Sequence, residues 1–559
     1  MKKILHPMLC MVLALFALVM ALPIAAAAEL KPVVTVSFAG YDELMADIEL
    51  IGKLGGRPQI GKLLEGIIAG VTQGRGLVGF DQKQPSGTVV LTDGSEKFTI
   101  YCFLPINDLD QLMGLIKNPL TGEGLNAEDG VYEIPIGPGK QAYLAQRGQW
   151  TYVVEDKETL DAVTDDPVSL LGDLPQKYLV AVQATLSNVP EAVRQQYLAP
   201  IMAGIQMGMQ RNEGESDAQY EARTMMQKQH MQQIQRFTTE LDVVTVGLNI
   251  DRNTNSAFVD LELTAKSGSS LAKDFAASKP DKSEMAGLVI PGAALSLHGV
   301  NEMPDAAVEH TKNTLSAFRT SAQEELKKQS LPDDKKDLAL GVMDDLFNLA
   351  IKTIEMKRSD CALALVLEPN AITLVAGAVI ADGSNINSVL EKLVAALKNE
   401  NPDAAKFVKL NAETYKGIRF HTLSLPTPEP EIVPLVGDTL NVVLGVGDNK
   451  VFIAAGRDAA EILKQAIDKS ASEAGKEVPP MQLVVSASKI AKFVTNVADD
   501  DTVKEIADKI SNALAQAEGK DHLTITSEPI ANGMRVRLEI EEGILKTAGA
   551  IGEIPDPGM

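Results

Sequence analysis

Two stretches of eleven residues decide how this chain is organised: FTIYCFLPIND at residues 98–108 and ITLVAGAVIAD at residues 372–382. Each has the pattern of an apolar strand that leads through a short connection to an aspartate at a helix start. A second pair of similar segments, VDLEL at 259–263 and VRLEI at 536–540, lies at nearly the same separation. The repeat unit is therefore about half of the chain, which predicts an internal duplication rather than a short solenoid period.

Local patterns predict the elements of the first copy. An apolar strand at 33–38 precedes two helical runs, which the glycines and proline of 55–58 separate. A hairpin over 88–104 turns at an Asp-Gly pair, a favoured hairpin turn. Asp108 then stands where a helix N-cap belongs, and the helix after it is predicted to stop at Asn118-Pro119.

The second copy is predicted to repeat this order. It begins with a strand at 288–290 and a long helical stretch through Phe347 and Ile354, followed by a hairpin from Leu363 to Ile380. A helix over 389–397 completes this part. If Ile100 and Leu374 are equivalent core positions of the duplication, truncating either to alanine should cost about 2 to 5 kcal/mol.

Each half then continues with a hairpin and a short helix, at 150–160 and at 451–463. A distinct sub-unit follows in each half, with its first strand at 178–182 or 483–485. The layout is A-B-A′-B′. Hairpin-joined strands alternating with helices predict an α+β fold of mostly antiparallel sheets, with helices packed on one face and two pseudo-symmetric lobes.

The start of the chain has the three parts of a secretory signal peptide: Lys2 and Lys3, an apolar run over 8–22, and small residues before a cleavage site after Ala28. We therefore predict a signal peptide at 1–28, a first α+β lobe at 29–280, a second at 281–550 and a flexible C-terminal tail at 551–559. The mature protein is expected in the periplasm or outside the cell, without a transmembrane anchor.

The charge of the chain argues against nucleic acid as a partner. Removing the two N-terminal lysines from the 52 basic residues leaves 50 against 75 acidic residues, a formal net charge of −25. Such a field repels phosphate backbones and keeps an exported protein dispersed. Of the three cysteines, Cys102 and Cys361 remain after cleavage, and they do not occupy equivalent positions of the duplication. We expect buried free thiols rather than a disulfide.

Residues 56–62, GRPQIGK, have the spacing of a phosphate-binding loop. Leu63 follows where that motif needs a hydroxyl for magnesium, and the preceding residues have a helical rather than a strand pattern. We interpret the segment as a turn between two helices.

Residues 202–231 contain six methionines and His230, a composition that suits copper(I) because thioethers are soft ligands. Met226, His230, Ile234 and Phe237 also share one helical face, which favours packing of these side chains against a sheet as flexible fillers. We favour packing and predict no metal at this cluster.

No catalytic, cofactor-binding or metal-ligating residue is predicted, and no cofactor. The histidines of the mature chain have neither His-x-His nor His-Glu-x-x-His spacing, and no Gly-x-Ser-x-Gly elbow occurs. The aspartates at 499–501 and 382–385 lack the spacing of a calcium loop and are interpreted as helix N-termini. The five histidines are His230, His298, His310, His421 and His522.

The duplicated order, the aspartate-headed helix and the signal peptide together resemble exported bacterial protein families with internally duplicated α+β architecture and no assigned function. The resemblance carries no site residues to this chain. We expect a non-enzymatic exported protein, an envelope-associated scaffold that binds a protein partner or a small-molecule ligand. Two alternatives stay open: a hydrolase using dispersed carboxylates in an inter-lobe cleft, and a carrier of a lipid or other apolar ligand. Clustered carboxylates with raised pKa would favour the hydrolase, and an apolar cleft would favour binding.

Overall fold

A computed structural model describes residues 30–72, 74–115, 125–137, 139–427 and 429–551. The strands, in chain order, are β1 (Lys31–Phe38), β2 (Ser86–Thr92), β3 (Phe98–Leu104), β4 (Ala127–Glu128), β5 (Val131–Gly137), β6 (Lys140–Arg147), β7 (Trp150–Val154), β8 (Val180–Thr185), β9 (Leu241–Asp251), β10 (Ser256–Ala265), β11 (Asp281–Lys282), β12 (Leu295–Glu302), β13 (Arg358–Glu368), β14 (Ala371–Val379), β15 (Val408–Tyr415), β16 (Ile418–Pro426), β17 (Thr439–Val446), β18 (Lys450–Gly456), β19 (Glu477–Val478), β20 (Met481–Ser486), β21 (His522–Ile530) and β22 (Gly533–Ile540).

The helices, in chain order, are α1 (Tyr41–Leu54), α2 (Ile60–Val71), α3 (Leu109–Met113), α4 (Leu174–Lys177), α5 (Glu191–Met207), α6 (Asp217–Glu240), α7 (Ser270–Ala277), α8 (Asp305–Lys328), α9 (Asp333–Glu355), α10 (Ser384–Glu400), α11 (Pro402–Ala405), α12 (Val433–Val436), α13 (Ala459–Ser472), α14 (Ala487–Val497), α15 (Asp501–Ala515) and α16 (Glu542–Ile551). Short 3-10 turns connect several of these elements. None of the described helices is both long enough and apolar enough to cross a membrane.

The chain divides into two compact units. Unit 1 contains the described residues up to Leu198, then Leu241–Ala265 and the described residues from Arg537 onward. Unit 2 contains Ala199–Glu240 and Lys266–Val536. The chain passes between the units inside α5 and β22 as well as at the ends of α6 and β10. The lobes that the sequence analysis bounds at 280 stay a prediction.

Unit 1 is built on one antiparallel sheet with the strand order β4–β5–β6–β7–β3–β2–β1–β8–β9–β10. The hairpin predicted at 88–104 is present as β2 and β3, and α1 and α2 are separated by the predicted turn. Asp108 caps α3 as predicted, because its side chain accepts a hydrogen bond from the backbone N–H of Gln111. The core of this unit includes Tyr101, Phe103 and Tyr152, all buried, with Trp150 stacked edge-on against Phe103.

Unit 2 is built on an antiparallel sheet with the strand order β15–β16–β17–β18–β14–β13–β12–β20–β21. This order corresponds position by position to β4–β5–β6–β7–β3–β2–β1–β8–β9 of unit 1. A separate pair, β11 with β19, lies in the same unit. The predicted α+β class with antiparallel sheets is confirmed. The internal duplication stays a prediction that this correspondence favours.

The core of unit 2 forms where α13 packs over the sheet. Leu463 of α13 is fully buried against Val375, Phe452 and the short 3-10 turn that contains Leu288. The strand predicted at 288–290 is therefore wrong. This apolar run packs into the core as a 3-10 turn, and the strand begins only at Leu295. The intervening Gly292 has a positive φ of 77°, which reverses the chain before the strand can start.

Four helices of unit 2 form a layer in which α6 contacts α8, α8 contacts α9 and α9 contacts α10. The Thr314 hydroxyl lies 3.4 Å from the Gln229 side-chain oxygen, and the Ser216 hydroxyl donates to Glu324. These contacts join α8 to α6 and to the turn before it. His230 is exposed and Phe237 is 40% exposed. The prediction that the methionine and histidine face of 202–237 packs as a filler against a sheet is therefore wrong, because α6 packs beside another helix.

Three predictions fall on residues outside the described ranges: the signal peptide at 1–28, the helix end at Asn118-Pro119 and nearly all of the tail at 551–559. The helix that follows Asp108 ends at Met113 in the described part. Asp382 does not cap a helix as Asp108 does, because α10 begins at Ser384 and its N-cap is Gly383. The Asp382 carboxylate instead accepts hydrogen bonds from the backbone N–H and the hydroxyl of Ser384. Asp500 caps α15, which confirms a helix start at 499–501.

Candidate ligand-binding faces

The antiparallel register of unit 2 sorts its strand residues onto two faces, because directly paired residues lie on the same side of a sheet. Ala364, Val375, Ala454 and Val443 pair in one row across β13, β14, β18 and β17. All four are almost completely buried, and Val375, Ala454 and Val443 belong to the core cluster that includes Leu463 of α13. We call this side the core face of unit 2.

The opposite side of the same sheet carries larger apolar residues, yet none of those named here is buried. They pair with one another, or with alanines of the same rows, across seven strands. We call this surface the open face of unit 2, and its members are Leu295, Leu297, Leu363, Leu365, Leu374, Val442, Leu444, Ile453, Leu483, Val485, Leu523 and Ile525.

Three members of the open face are well exposed: Leu297 at 41%, Leu374 at 38% and Ile453 at 42%. An antiparallel sheet with one solvated face ordinarily alternates apolar and polar residues, so that the solvated face is polar. Leu374 was predicted to be a core residue, which is wrong, because β14 directs Val375 rather than Leu374 into the core. Its sequence counterpart Ile100 is only half-buried, and the fully buried neighbour there is Tyr101.

A groove of about 550 Å³ lies along α9 in the same unit. Its lining is apolar except for Lys335, which pairs with Glu400 at 3.0 Å. Of all the residues from 309 to 348, which the structure describes without a gap, none is buried. The long α8–α9 hairpin therefore leaves an apolar stripe uncovered, and α9 also contacts β13 of the sheet. The lining consists of Leu315, Lys335, Leu338, Ala339, Val342, Met343, Leu346, Phe347, Ala350 and Leu393.

In unit 1 the strands β1, β8, β9 and β10 likewise carry apolar residues on an incompletely covered face. Its open face holds paired apolar residues that are half-buried or exposed, with Val246 at 42%. The other face of these strands is buried although it carries polar groups such as Thr35, Thr245 and Asp260. The members of the open face of unit 1 are Phe38, Val36, Val34, Val180, Val182, Ala184, Leu248, Val246, Val244, Val259, Leu261 and Leu263.

An ion pair compensates the charge of Asp260 on the buried polar face of unit 1. Arg537 binds Asp260 in bidentate fashion, with both N···O distances 2.7 Å, and its guanidinium carbon lies 3.9 Å from the ring centre of Phe258. The single proton of the Tyr178 hydroxyl is shared between Asp260 at 3.1 Å and Glu262 at 3.2 Å. Burial and these carboxylates raise the pKa of Tyr178. Each buried charge is thus compensated, and the cluster is structural.

Unit 2 contains a serine, a histidine and an aspartate in contact, but they are not arranged for nucleophilic catalysis. The Ser283 hydroxyl donates a hydrogen bond to Asp360 at 2.7 Å, and His298 Nε2 lies 2.9 Å from the hydroxyl oxygen of Ser283. Because the hydroxyl proton of Ser283 points to Asp360, the Nε2–H of His298 must donate to the Ser283 oxygen. His298 therefore does not act as the base for Ser283. All three side chains are buried, and burial lowers the pKa of His298.

A second buried histidine, His421, lies on the open side of the sheet at the edge that α10 covers. Its Nε2 is 2.9 Å from the Asn387 side-chain oxygen, and its Nδ1 accepts from the backbone N–H of Asn411 at 3.3 Å. These partners fix the neutral form with the proton on Nε2. Burial, and to a lesser degree Arg419, lowers the pKa of His421.

The hydrolase alternative requires carboxylates arranged in a cleft. Asp47 on α1 is buried, and burial raises its pKa to about 6. The Nε of Arg252 lies 2.9 Å from Asp47, and Arg252 also pairs with Glu43. A guanidinium between two carboxylates joins α1 to the β9–β10 turn, and we interpret this contact as structural.

The structure brings together few of the residues that the sequence singled out. Cys102 and Cys361 are free cysteines in the described part of the chain, with Cys102 half-buried and Cys361 exposed. The expectation that both thiols are buried is therefore wrong for Cys361, which lies on the open side of β13. Among the described residues no group of three His, Cys, Asp or Glu could hold a metal ion. The two buried histidines depend on contacts between distant segments, which local spacing does not reveal.

Comparison of the chain with known protein families, curated proteins and solved structures finds no match in any of the three.

Proposed function

We propose that this protein is an exported, non-enzymatic binding protein that carries an apolar, lipid-like ligand on the open faces of its sheets. The observation that supports this most is the inversion of size and burial in unit 2, where leucines and isoleucine are exposed while alanines are buried behind them. The groove along α9 supports the same class of ligand, since nine of its ten lining residues are apolar.

The energetic argument follows from the area that these side chains leave in water. Burying an apolar surface contributes roughly 25 cal/mol for each Å², and each methylene of a ligand contributes about 0.8 kcal/mol. A row of half-exposed aliphatic side chains therefore lowers the stability of the empty protein and favours any apolar chain that covers it. A groove of this volume lies within the usual range of small-molecule sites.

The correspondence of strand order between the units supports a related proposal, that the protein arose by internal duplication and carries one ligand-binding face in each half. The predicted export supports a carrier role, because apolar molecules need a protein to cross an aqueous compartment. A protein partner is the other occupant that an apolar surface can accept.

The test begins with the mature protein purified from its native organism. Native mass spectrometry, followed by denaturation and identification of what is released, should find an apolar molecule at stoichiometric amount. The delipidated protein should then bind a fluorescent fatty acid. An empty protein that binds no fatty acid or phospholipid and instead retains a protein partner would overturn the carrier proposal.

Paired variants test whether the ligand binds on the open face. Leu374→Gln combined with Ile453→Thr should weaken fatty-acid binding at least tenfold, because both substitutions put polar groups beneath the ligand. Phe318→Gln is the matched control, since Phe318 is 52% exposed on α8 but belongs neither to the open face nor to the groove lining. Equal losses in both proteins would contradict the assignment.

A further inference from the structure

Helix α2 is apolar on two sides, and only one of them is covered. Ile60 packs towards α1, where a Cβ on Gly52 would lie 2.4 Å from its methyl group, so the absence of a side chain at Gly52 allows the close approach. On the other side, Leu63 and Ile67 are 65% and 57% exposed. Leu63, Gly66, Ile67 and Gly70 recur at helical spacing and form one stripe, which we call the α2 stripe.

The charge at the N-terminal end of the α2 stripe is opposite to that of the whole chain. Residues 53–62 contain three basic residues and no acidic residue, in a chain with a net charge of −23. Lys53, Arg57 and Lys62 are exposed at the end of α1, in the turn and in the first part of α2. An apolar stripe flanked by lysine and arginine is the arrangement of helices that lie in the interface of a bilayer.

We propose that the α2 stripe docks unit 1 onto an anionic lipid surface. Leu63 and Ile67 enter the boundary between headgroups and acyl chains, and the basic residues remain at the level of the lipid phosphates. The remaining acidic surface of the protein is repelled by the same membrane, so binding is oriented, reversible and weakened by salt. This inference does not depend on the ligand-binding proposal, although a carrier of lipids needs such a surface to meet its membrane.

The experiment is flotation of the mature full-length protein with two kinds of vesicle, phosphatidylcholine alone and phosphatidylcholine containing phosphatidylglycerol. We expect the protein to float with the anionic vesicles at low salt and to remain free with the neutral vesicles or at high salt. Replacing Lys53, Arg57 and Lys62 by glutamine should lower the partition coefficient about 100-fold, since each basic residue near such a surface contributes about fivefold.

The apolar part is tested by Leu63→Ser combined with Ile67→Ser, which should reduce partitioning at least tenfold. The matched control is Phe318→Ser combined with Leu331→Ser, two exposed apolar residues of unit 2 that should leave partitioning unchanged. All substituted side chains are exposed, and circular dichroism checks that each variant folds. Because Gly66 and Gly70 would also allow close packing of two helices, light scattering is run in parallel. A dimer that the Leu63 and Ile67 substitutions dissociate, without any vesicle binding, would overturn the proposal.

Discussion

Ile453 and Ala454 are neighbours on β18, yet the larger apolar side chain is 42% exposed and the smaller one is fully buried. The register extends this relationship across the sheet of unit 2, so that rows of alanine and valine form the core face and rows of leucine form the open face. Stability and the proposed ligand binding therefore involve opposite sides of the same strands. Substitutions on the two sides should therefore have separable effects.

A leucine on each side provides the direct comparison. Leu463→Ala should lower the free energy of unfolding by about 2 to 5 kcal/mol, because Leu463 of α13 is fully buried against the core face. Leu374→Ala should cost about 1 kcal/mol or less, since that side chain is already 38% exposed. Urea unfolding followed by circular dichroism measures both. A loss at Leu374 as large as that at Leu463 would contradict the open face.

The sequence predicted what depends on neighbouring residues. The Asp-Gly hairpin and the Asp108 cap form within a few residues of chain, so their patterns are reliable. Which face of a strand is covered depends on where α13 and the turn at Leu288 pack, and that information is spread over distant segments. This is why an alternation of Leu374 and Val375 could be recognised as a strand but not oriented, and why the open face was not predicted.

The Arg537–Asp260 pair should be strongly coupled. Arg537→Met keeps an apolar stem near Phe258 but removes the guanidinium that binds the carboxylate of Asp260, which is 1% exposed. We expect a loss of about 3 to 5 kcal/mol in the free energy of unfolding. Adding Asp260→Asn should recover part of that loss, because the buried charge is then removed as well.

The control for this pair is Arg147→Met, which removes an exposed ion pair with Asp161 of 3.8 Å in the same unit. It should cost less than about 1 kcal/mol. If the Arg537 and Arg147 variants lost similar amounts in urea unfolding, or if Asp260→Asn made the Arg537 variant still less stable, the structural role of the buried pair would be wrong.

The buried histidines predict the pH dependence of unit 2. Burial lowers the pKa of His298 and His421 below the 6.5 of an unfolded chain, so the unfolded state binds protons more readily. Their contribution to stability is complete above pH 6.5 and is lost as the pH falls through 6.5 towards the folded-state pKa. We expect the urea midpoint to decrease on acidification from about pH 7 to about pH 5.

His421→Gln should reduce this decrease, because glutamine can replace the hydrogen bonds with Asn387 and Asn411 and does not titrate. His230→Gln, at an exposed position on α6, is the comparison variant. The same acid-dependent decrease in the His421 variant and in the unsubstituted protein would exclude His421 as a source of the effect.

The two cysteines should differ in reactivity. Burial raises the pKa of both thiols, to about 11 at Cys102, but Cys361 is exposed on β13 whereas Cys102 is half-buried. Iodoacetamide should therefore modify Cys361 first, as measured by mass spectrometry of the digested protein. Since Cys361 lies on the same side of β13 as Leu363, loading the delipidated protein with a fatty acid should slow its modification. Protection of Cys102 but not Cys361 would place the ligand elsewhere.

Two glycines of unit 2 should respond to alanine in opposite directions. A Cβ on Gly287 would lie 1.9 Å from the backbone nitrogen of Ser470, so the turn could no longer pack on α13. Gly287→Ala should cost about 1 to 3 kcal/mol or more. Gly341 lies inside α9 with no atom within 4 Å of its Cβ position, and Gly341→Ala should add about 1 kcal/mol through helix propensity. Thermal unfolding ranks the two variants on either side of the parent protein. A stable Gly287→Ala variant would mean that the turn at Leu288 does not plug the core.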